Sequence, residues 1–430
     1  MSDHIAKDHQ SHDDQKPLGQ ILSRFYNDAR TALSEMSRGA RFIHLFWLAG
    51  PFILLIERSP ADLWMVILGL TFFIRSIKLK DFSWARIFWV RAILAFWVVA
   101  VISAISSDNP SYAFGEAFGW IRFPLFAFAT TFWLGRDPRL LYAMFFSLGL
   151  GMITMCGILT AELMILGQQG GRLTWPYGDL VPGNYLAKTC LPVFVVLVAL
   201  AVTIRGRLAS LLGIIGIATM MISVMTGERI NFIIRACAGM LASVSVKPKW
   251  KRVFGLIAFE AVAVIMLIAS APGVSERYIN HFIYHIPTHE GSQYYKTMKP
   301  GFMAFETAPV LGIGPGNFRH MCDEITNHSP DLECHPHPHN YYIQLLAETG
   351  IIGFIFGVIM MGAIFVACVK AGLRNPKNVV AATTYIIPLA FFWPIASTMN
   401  LFGQWNSVFS WSALALALAA TQLPISGDKK

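Results

Sequence analysis

This sequence is short of charge. Only 14% of its 430 residues are Asp, Glu, Lys or Arg, where an ordinary soluble domain carries about 25%. So little charge cannot cover a water-soluble body of this length. The 55% hydrophobic content and mean hydropathy of +0.53 instead supply apolar runs near the ~18–20 residues that cross a bilayer core. Internal repeats and low-complexity tracts are absent. The polar N-terminal segment lacks a signal-peptide pattern, so the first apolar run is expected to serve as its own insertion signal. Acid is scarcer than base, 25 against 34, for a net charge of +9. The cations form no nucleic-acid-like patch. They sit in short clusters between apolar runs, as orientation by the positive-inside rule requires. Metal and nucleotide signatures are missing too: there is no HExxH, no paired-Cys spacing, and the Gly-rich stretch 309–318 lacks the Gly-Lys-Ser/Thr ending of a P-loop.

What is present is an all-α polytopic membrane protein of about twelve spans. They lie near 42–56, 63–77, 84–105, 115–134, 140–167, 185–204, 208–226, 230–246, 253–271, 340–369, 378–398 and 407–424. With the N-terminus inside, the clusters "RSIKLKD", "GRDPR", "RGR", "KPKWKR" and "KAGLRNPK" and the tail "GDKK" all face the cytoplasm. The chain then divides into a cytoplasmic segment 1–41, spans one to nine over 42–271, a long outer loop 272–339, spans ten to twelve over 340–424, and a tail 425–430. In the first segment, residues 1–15 read as disordered. Apolar residues recur from Ile21 to Met36 at helical spacing among Arg24 and Arg30, as in a basic amphipathic helix on the inner leaflet or a plain soluble helix. The outer loop 168–184 is rich in Gly, Pro and aromatics. Loops as long as 272–339 are commonly functional; within it "SERYINHFIYHI" and "QYYKTMKPGFMAFET" read as short helices.

The long loop ends in "CHPHPHN", Cys334 to Asn340, at the lip of span ten. Pro338 suits a first helical turn, which puts His339 and Asn340 at the outer end of that span. On a continuous helix Gly350, Gly353 and Gly357 share roughly one face with His339, and a glycine stripe admits a close neighbouring helix. Three roles remain open for His335, His337 and His339: a metal site, a pH-sensitive or structural loop, and a general base. Cations within or beside apolar runs of the outer half are Arg122, Lys188, Arg229 and Arg235. Such charges are costly in a membrane and usually line a polar cavity or meet a partner. Arg229 is a candidate for snorkelling to headgroups, and Arg235 for pairing with Glu260. Guanidinium groups converging at the outer face suit a pyrophosphate. Gly314 and Gly316, in "PVLGIGPGNF", either offer backbone N–H groups to a ligand or make a tight turn.

These segments resemble the O-antigen ligase and polymerase superfamily. His339-Asn340 followed by Gly350-Ile-Ile-Gly353 looks like its signature. "APVLGIGPGNF", "TGERINFII" and "VPGNYLAKTCLP" are similar to three further family segments, in family order, over roughly residues 180–355. The resemblance implies a metal-independent, inverting glycosyltransferase of the GT-C type without cofactor. It would move O-antigen from undecaprenyl pyrophosphate to lipid A–core at the periplasmic face of a Gram-negative inner membrane. By position, His339 would be the catalytic histidine and Arg229 a pyrophosphate contact. From their own places in the chain, His337 is expected to assist, Arg122 and Lys188 to join the pyrophosphate site, and Asn340, Gly350, Gly353, Gly314 and Gly316 to support it. Two departures stand out. Glu228 replaces the usual serine, and the arginine usual before the Pro-Leu-Gly segment is missing, with Lys296 its candidate substitute. Polymerase, protein O-glycosyltransferase and lipid-linked-glycan transporter are the alternatives. In an oxidising periplasm, Cys322 and Cys334 are expected to form a disulfide.

Overall fold

The computed structural model describes residues 18–178, 181–270, 292–326, 329 and 331–425. They are helical throughout, with no strand among the described residues. The elements are α1 (Leu18–Ser34), α2 (Arg38–Leu48), α3 (Arg58–Leu79), α4 (Phe88–Ile105), α5 (Pro110–Leu134), α6 (Pro138–Leu166), α7 (Leu191–Thr203), α8 (Arg207–Met225), α9 (Arg229–Val244), α10 (Trp250–Ser270), α11 (Gln293–Thr307), α12 (Phe318–Thr326), α13 (Tyr341–Arg374), α14 (Val379–Phe391) and α15 (Gln404–Ala420). The stretch "SERYINHFIYHI" lies outside the described residues, as do 1–15 and most of the tail.

Six helices are long and apolar enough to cross a membrane: α3, α4, α5, α6, α8 and α13. A seventh span results if Val181–Thr189 and α7, bent by 54°, are taken together. The protein is therefore a multi-pass membrane protein. Its outer flanks carry exposed Phe42, Leu63, Phe88, Ile153, Phe254 and Ile265, as surfaces facing lipid should. The apolar core is continuous, with Trp47, Trp120, Phe96, Phe123 and Phe409 essentially buried.

Several expected spans are shorter or broken. The first is two pieces, α2 and a single turn at Gly50–Ile53 that starts with Pro51 in its first turn. The eleventh ends early at Phe391 and continues as irregular chain to Gly403. Irregular backbone at membrane depth survives only where protein or a polar cavity satisfies it, and residues 396–399 of the second break line a polar cavity.

The largest departure concerns α13. His339 is not on the helix: it has φ +54° and precedes the cap. Asn340 is the N-cap, its Oδ1 accepting from the amides of Tyr342 (2.9 Å) and Ile343 (3.3 Å), a role asparagine fills well. The helix then breaks at Gly350 (φ 63°, ψ −170°), so the face shared by His339 and the glycines does not exist. A Cβ at Gly350 would land on the Val310 carbonyl and the Gly312 amide. The Gly-rich stretch mends the break. Ile313 and Gly314 donate to the carbonyls of Ala347 and Glu348, each at 3.0 Å, and Ile351 donates to Pro309 O at 2.9 Å. Gly314 and Gly316, in the same stretch, pack against Ser107 after α4 and Glu116 of α5. This loop is a splint for α13, and its glycines do not line the cavity.

Candidate functional site

The cavity lies on the side expected to face outward and has a volume of about 360 Å³. Its walls come from the loop before α7, the start of α9, the start of α11, the histidine loop, and the irregular 396–399 segment. Among its lining residues are His339, Arg229, Lys188, Arg172, Asn231 and Thr398. The irregular wall is tied to the histidine loop. Thr398 N donates to His339 O at 2.8 Å, and Asn340 Nδ2 donates to Pro394 O at 2.7 Å and Ala396 O at 3.3 Å. Thus the cap that starts α13 also sets the wall opposite its histidine.

His339 sits within an imidazole cluster. Its ring lies 4.3 Å from that of His337 and 5.2 Å from that of His335, centroid to centroid. Burial, and then the like charge of His335, push the His339 pKa down to about 4. Burial and then His339 push His337 down to about 3, against a hydrogen bond that its ring donates to the Thr398 backbone, which favours the charged form. Both rings are therefore neutral near neutral pH, and a neutral ring can accept a proton. His337 is buried with Nε2 unpartnered, whereas His335 and His339 line the cavity. His335 lies within 3.3 Å of Glu333. No group of three or more His, Cys, Asp or Glu among the described residues is placed to hold a metal.

The cations divide. Arg229 opens α9 at the cavity wall and pairs with no carboxylate among the described residues. Lys188 lines the cavity with its ammonium hydrogen-bonded to Asn406 Oδ1. Arg122 stands elsewhere: its Nε is 2.7 Å from Asp62, which also accepts from Gln404 at 2.8 Å. Lys296 is on α11, but the cavity is lined by its neighbours Gln293, Tyr294 and Thr297. Arg235 is wholly buried and bonds Thr219 Oγ1 at 3.2 Å, with its guanidinium 4.3 Å above the Phe194 ring. It clamps α8 to α9, and the expected pair with Glu260 is not formed.

Sequence reasoning missed Arg172. It lies in the outer loop 168–184, outside any apolar run, where a cation raises no alarm. That loop docks through Leu173 N to Met225 O (2.9 Å), while Glu162 accepts from the amides of Thr174 and Trp175. The result brings Arg172 over the cavity, 2.8 Å from Glu228. Glu228 is thus the partner of a cavity arginine, which gives the substitution of the usual serine a physical role here.

Beside the polar cavity runs an apolar one of about 570 Å³, lined by Ile233, Ile234, Cys237, Leu241, Leu389 and Trp393 among others. Arg229, Ile230, Tyr294 and Ser397 border both. The two spaces adjoin across these shared residues, Arg229 among them. Cys322 and Cys334 are disulfide-bonded, with Cα atoms 5.5 Å apart, and brace the approach to the histidines.

Residues 189–358 match the family model described as O-antigen ligase. That match, over 189–358, supports the O-antigen ligase/polymerase superfamily. The match supports ligase- or polymerase-type activity of a glycosyltransferase-like enzyme acting on lipid-linked polysaccharide. It takes in Arg229, His339 and the Gly350 break, whereas Arg172 and the 396–399 wall lie beyond it. No curated protein matches the chain.

Proposed function

We propose that this protein is an O-antigen ligase. It transfers a glycan from undecaprenyl pyrophosphate to lipid A–core at the periplasmic face of the inner membrane, with both termini cytoplasmic and a twelve-span, GT-C-type arrangement. One observation carries the reading: a polar cavity lined by His339 adjoins, at Arg229, an apolar groove. A lipid pyrophosphate needs that pair of environments. Its tail takes the groove, its charge meets Arg229 and Lys188, and its sugar C1 faces the histidine.

The chemistry follows from the parts. Neutral His339 takes the proton from the acceptor hydroxyl as its oxygen bonds to C1. The bond from C1 to the pyrophosphate oxygen breaks with its electron pair, and the fixed cations meet the charge that develops. Attack from the face opposite the leaving group inverts C1. The proton on the imidazole passes to solvent or to the departing pyrophosphate, which resets the site.

The test is reconstitution. Purified protein given undecaprenyl-linked glycan and lipid A–core should yield the joined product and release undecaprenyl pyrophosphate. Lengthening of the carrier-linked chain without lipid A–core would assign a polymerase instead. Movement of the donor with no new glycosidic bond would assign a transporter.

A further inference from the structure

The start of α9 has more to offer an anion than the Arg229 side chain. Glu228 occupies its N-cap position but gives no side-chain cap, since its carboxylate is held by Arg172 at 2.8 Å. The amides of Arg229, Ile230 and Asn231 have no acceptor within their own helix, and they sit at the positive end of its dipole. A helix start alone would be weak ground. The independent observation is Asn231, which is 4% exposed, lines the polar cavity, and has an Nδ2 without any hydrogen-bond partner. A buried amide donor left unmade is expensive unless a ligand supplies the acceptor.

The surroundings specify the ligand. Asn231 borders the polar cavity and not the apolar groove, whereas Arg229 borders both. The only carboxylate on the cavity wall among the described residues is Glu228, and Arg172 offsets it. Lys188 and Arg229 leave the space cationic. We propose that Asn231, with the first-turn amides of α9, binds a phosphoryl group, forming a neutral donor set beside the Arg229 guanidinium. Resting on the reading above, this group is the phosphate of the carrier lying nearer the sugar, because Asn231 is on the cavity side of Arg229.

The experiment measures binding to the full chain in a maltoside detergent, which brings no phosphate of its own. The probes are undecaprenyl pyrophosphate, undecaprenol and inorganic pyrophosphate, against the parent, Asn231→Leu, Asn231→Asp and Arg229→Ala. Asn231→Leu keeps the branched heavy-atom shape, with somewhat more bulk, and removes the donor. It should weaken undecaprenyl pyrophosphate by about 10–100-fold, the range for a hydrogen bond to a charged group, and leave undecaprenol unchanged. Asn231→Asp should weaken it further, by placing a carboxylate where the anion sits. Inorganic pyrophosphate should compete in the parent and lose ground in both variants. Parent-like binding of undecaprenyl pyrophosphate by Asn231→Leu overturns the inference, and so does equal weakening of undecaprenol, which marks a structural effect. If inorganic pyrophosphate binds through Asn231 while the parent ignores the lipid carrier, the phosphoryl site stands and the carrier reading falls.

Discussion

Replacing Gly350 by alanine tests how the break in α13 supports the site. The backbone there, φ 63° and ψ −170°, lies in a region open essentially to glycine, and holding another residue in it costs of order 1–3 kcal/mol. The added Cβ also falls on the Val310 carbonyl and the Gly312 amide. Overlap of that kind in a packed interior costs about 1–3 kcal/mol more. Together these come to about 2–6 kcal/mol, a large part of the 5–15 kcal/mol that ordinarily holds a fold. The chain can relieve the clash only by parting the 309–314 splint from α13. That would free the carbonyls of Ala347 and Glu348 and the amide of Ile351, and tilt the half-helix whose cap sits next to His339. Gly350→Ala should therefore lower the unfolding temperature in detergent and reduce glycan transfer per folded molecule. Gly362→Ala is the control on the same helix. It is exposed with open space where its Cβ would stand, and alanine is favoured over glycine in a helix by about 0.8–1.0 kcal/mol. Gly350→Ala behaving as Gly362→Ala does in both assays would refute the splint.

Three further outcomes follow from the site. His339→Ala should lose transfer by about 10²–10⁴-fold, the usual contribution of a general base, while undecaprenyl pyrophosphate still binds; retention of near-parent rates at saturating acceptor would remove His339 from the chemistry. The free-enzyme profile, kcat/KM against pH, should hold until His339 protonates near its depressed pKa of about 4, because only the neutral ring is a base. His335→Ala removes a like charge, so that acidic limb should move to higher pH; a limb that stays put would mean another group titrates. The same depression makes the native state less stable as pH falls below about 6.5, since unfolded histidine takes up protons first. Arg229→Lys keeps the charge but loses the planar fork, so its transfer should fall well below the parent's, and an unimpaired lysine variant would show that charge alone suffices there.

Length and composition decided that the chain is a bundle of membrane helices. Inside a bilayer the backbone must satisfy itself, so a long apolar run has almost no alternative to helix. The span expected near 140–167 is α6, whose start at Pro138 is fixed by local chemistry, with Asp137 accepting from the amide of Arg139. The sequence also marked His339 and Arg229 as candidates, because polar groups beside apolar runs need a reason to be there. It could not place the helix break at Gly350. A glycine in an apolar helix is tolerated as readily as it signals a bend, and the partner that makes the bend affordable is a loop distant in the chain. Nor could it sort the cations. Arg122 and Lys188 look alike in sequence, yet one is spent on Asp62 and the other faces the cavity. Arg172, in an unremarked loop, arrives there only because Glu162 and Met225 hold that loop down. Whether a charge is free to act depends on what lies within about 4 Å of it, and that is decided by packing between segments far apart in sequence.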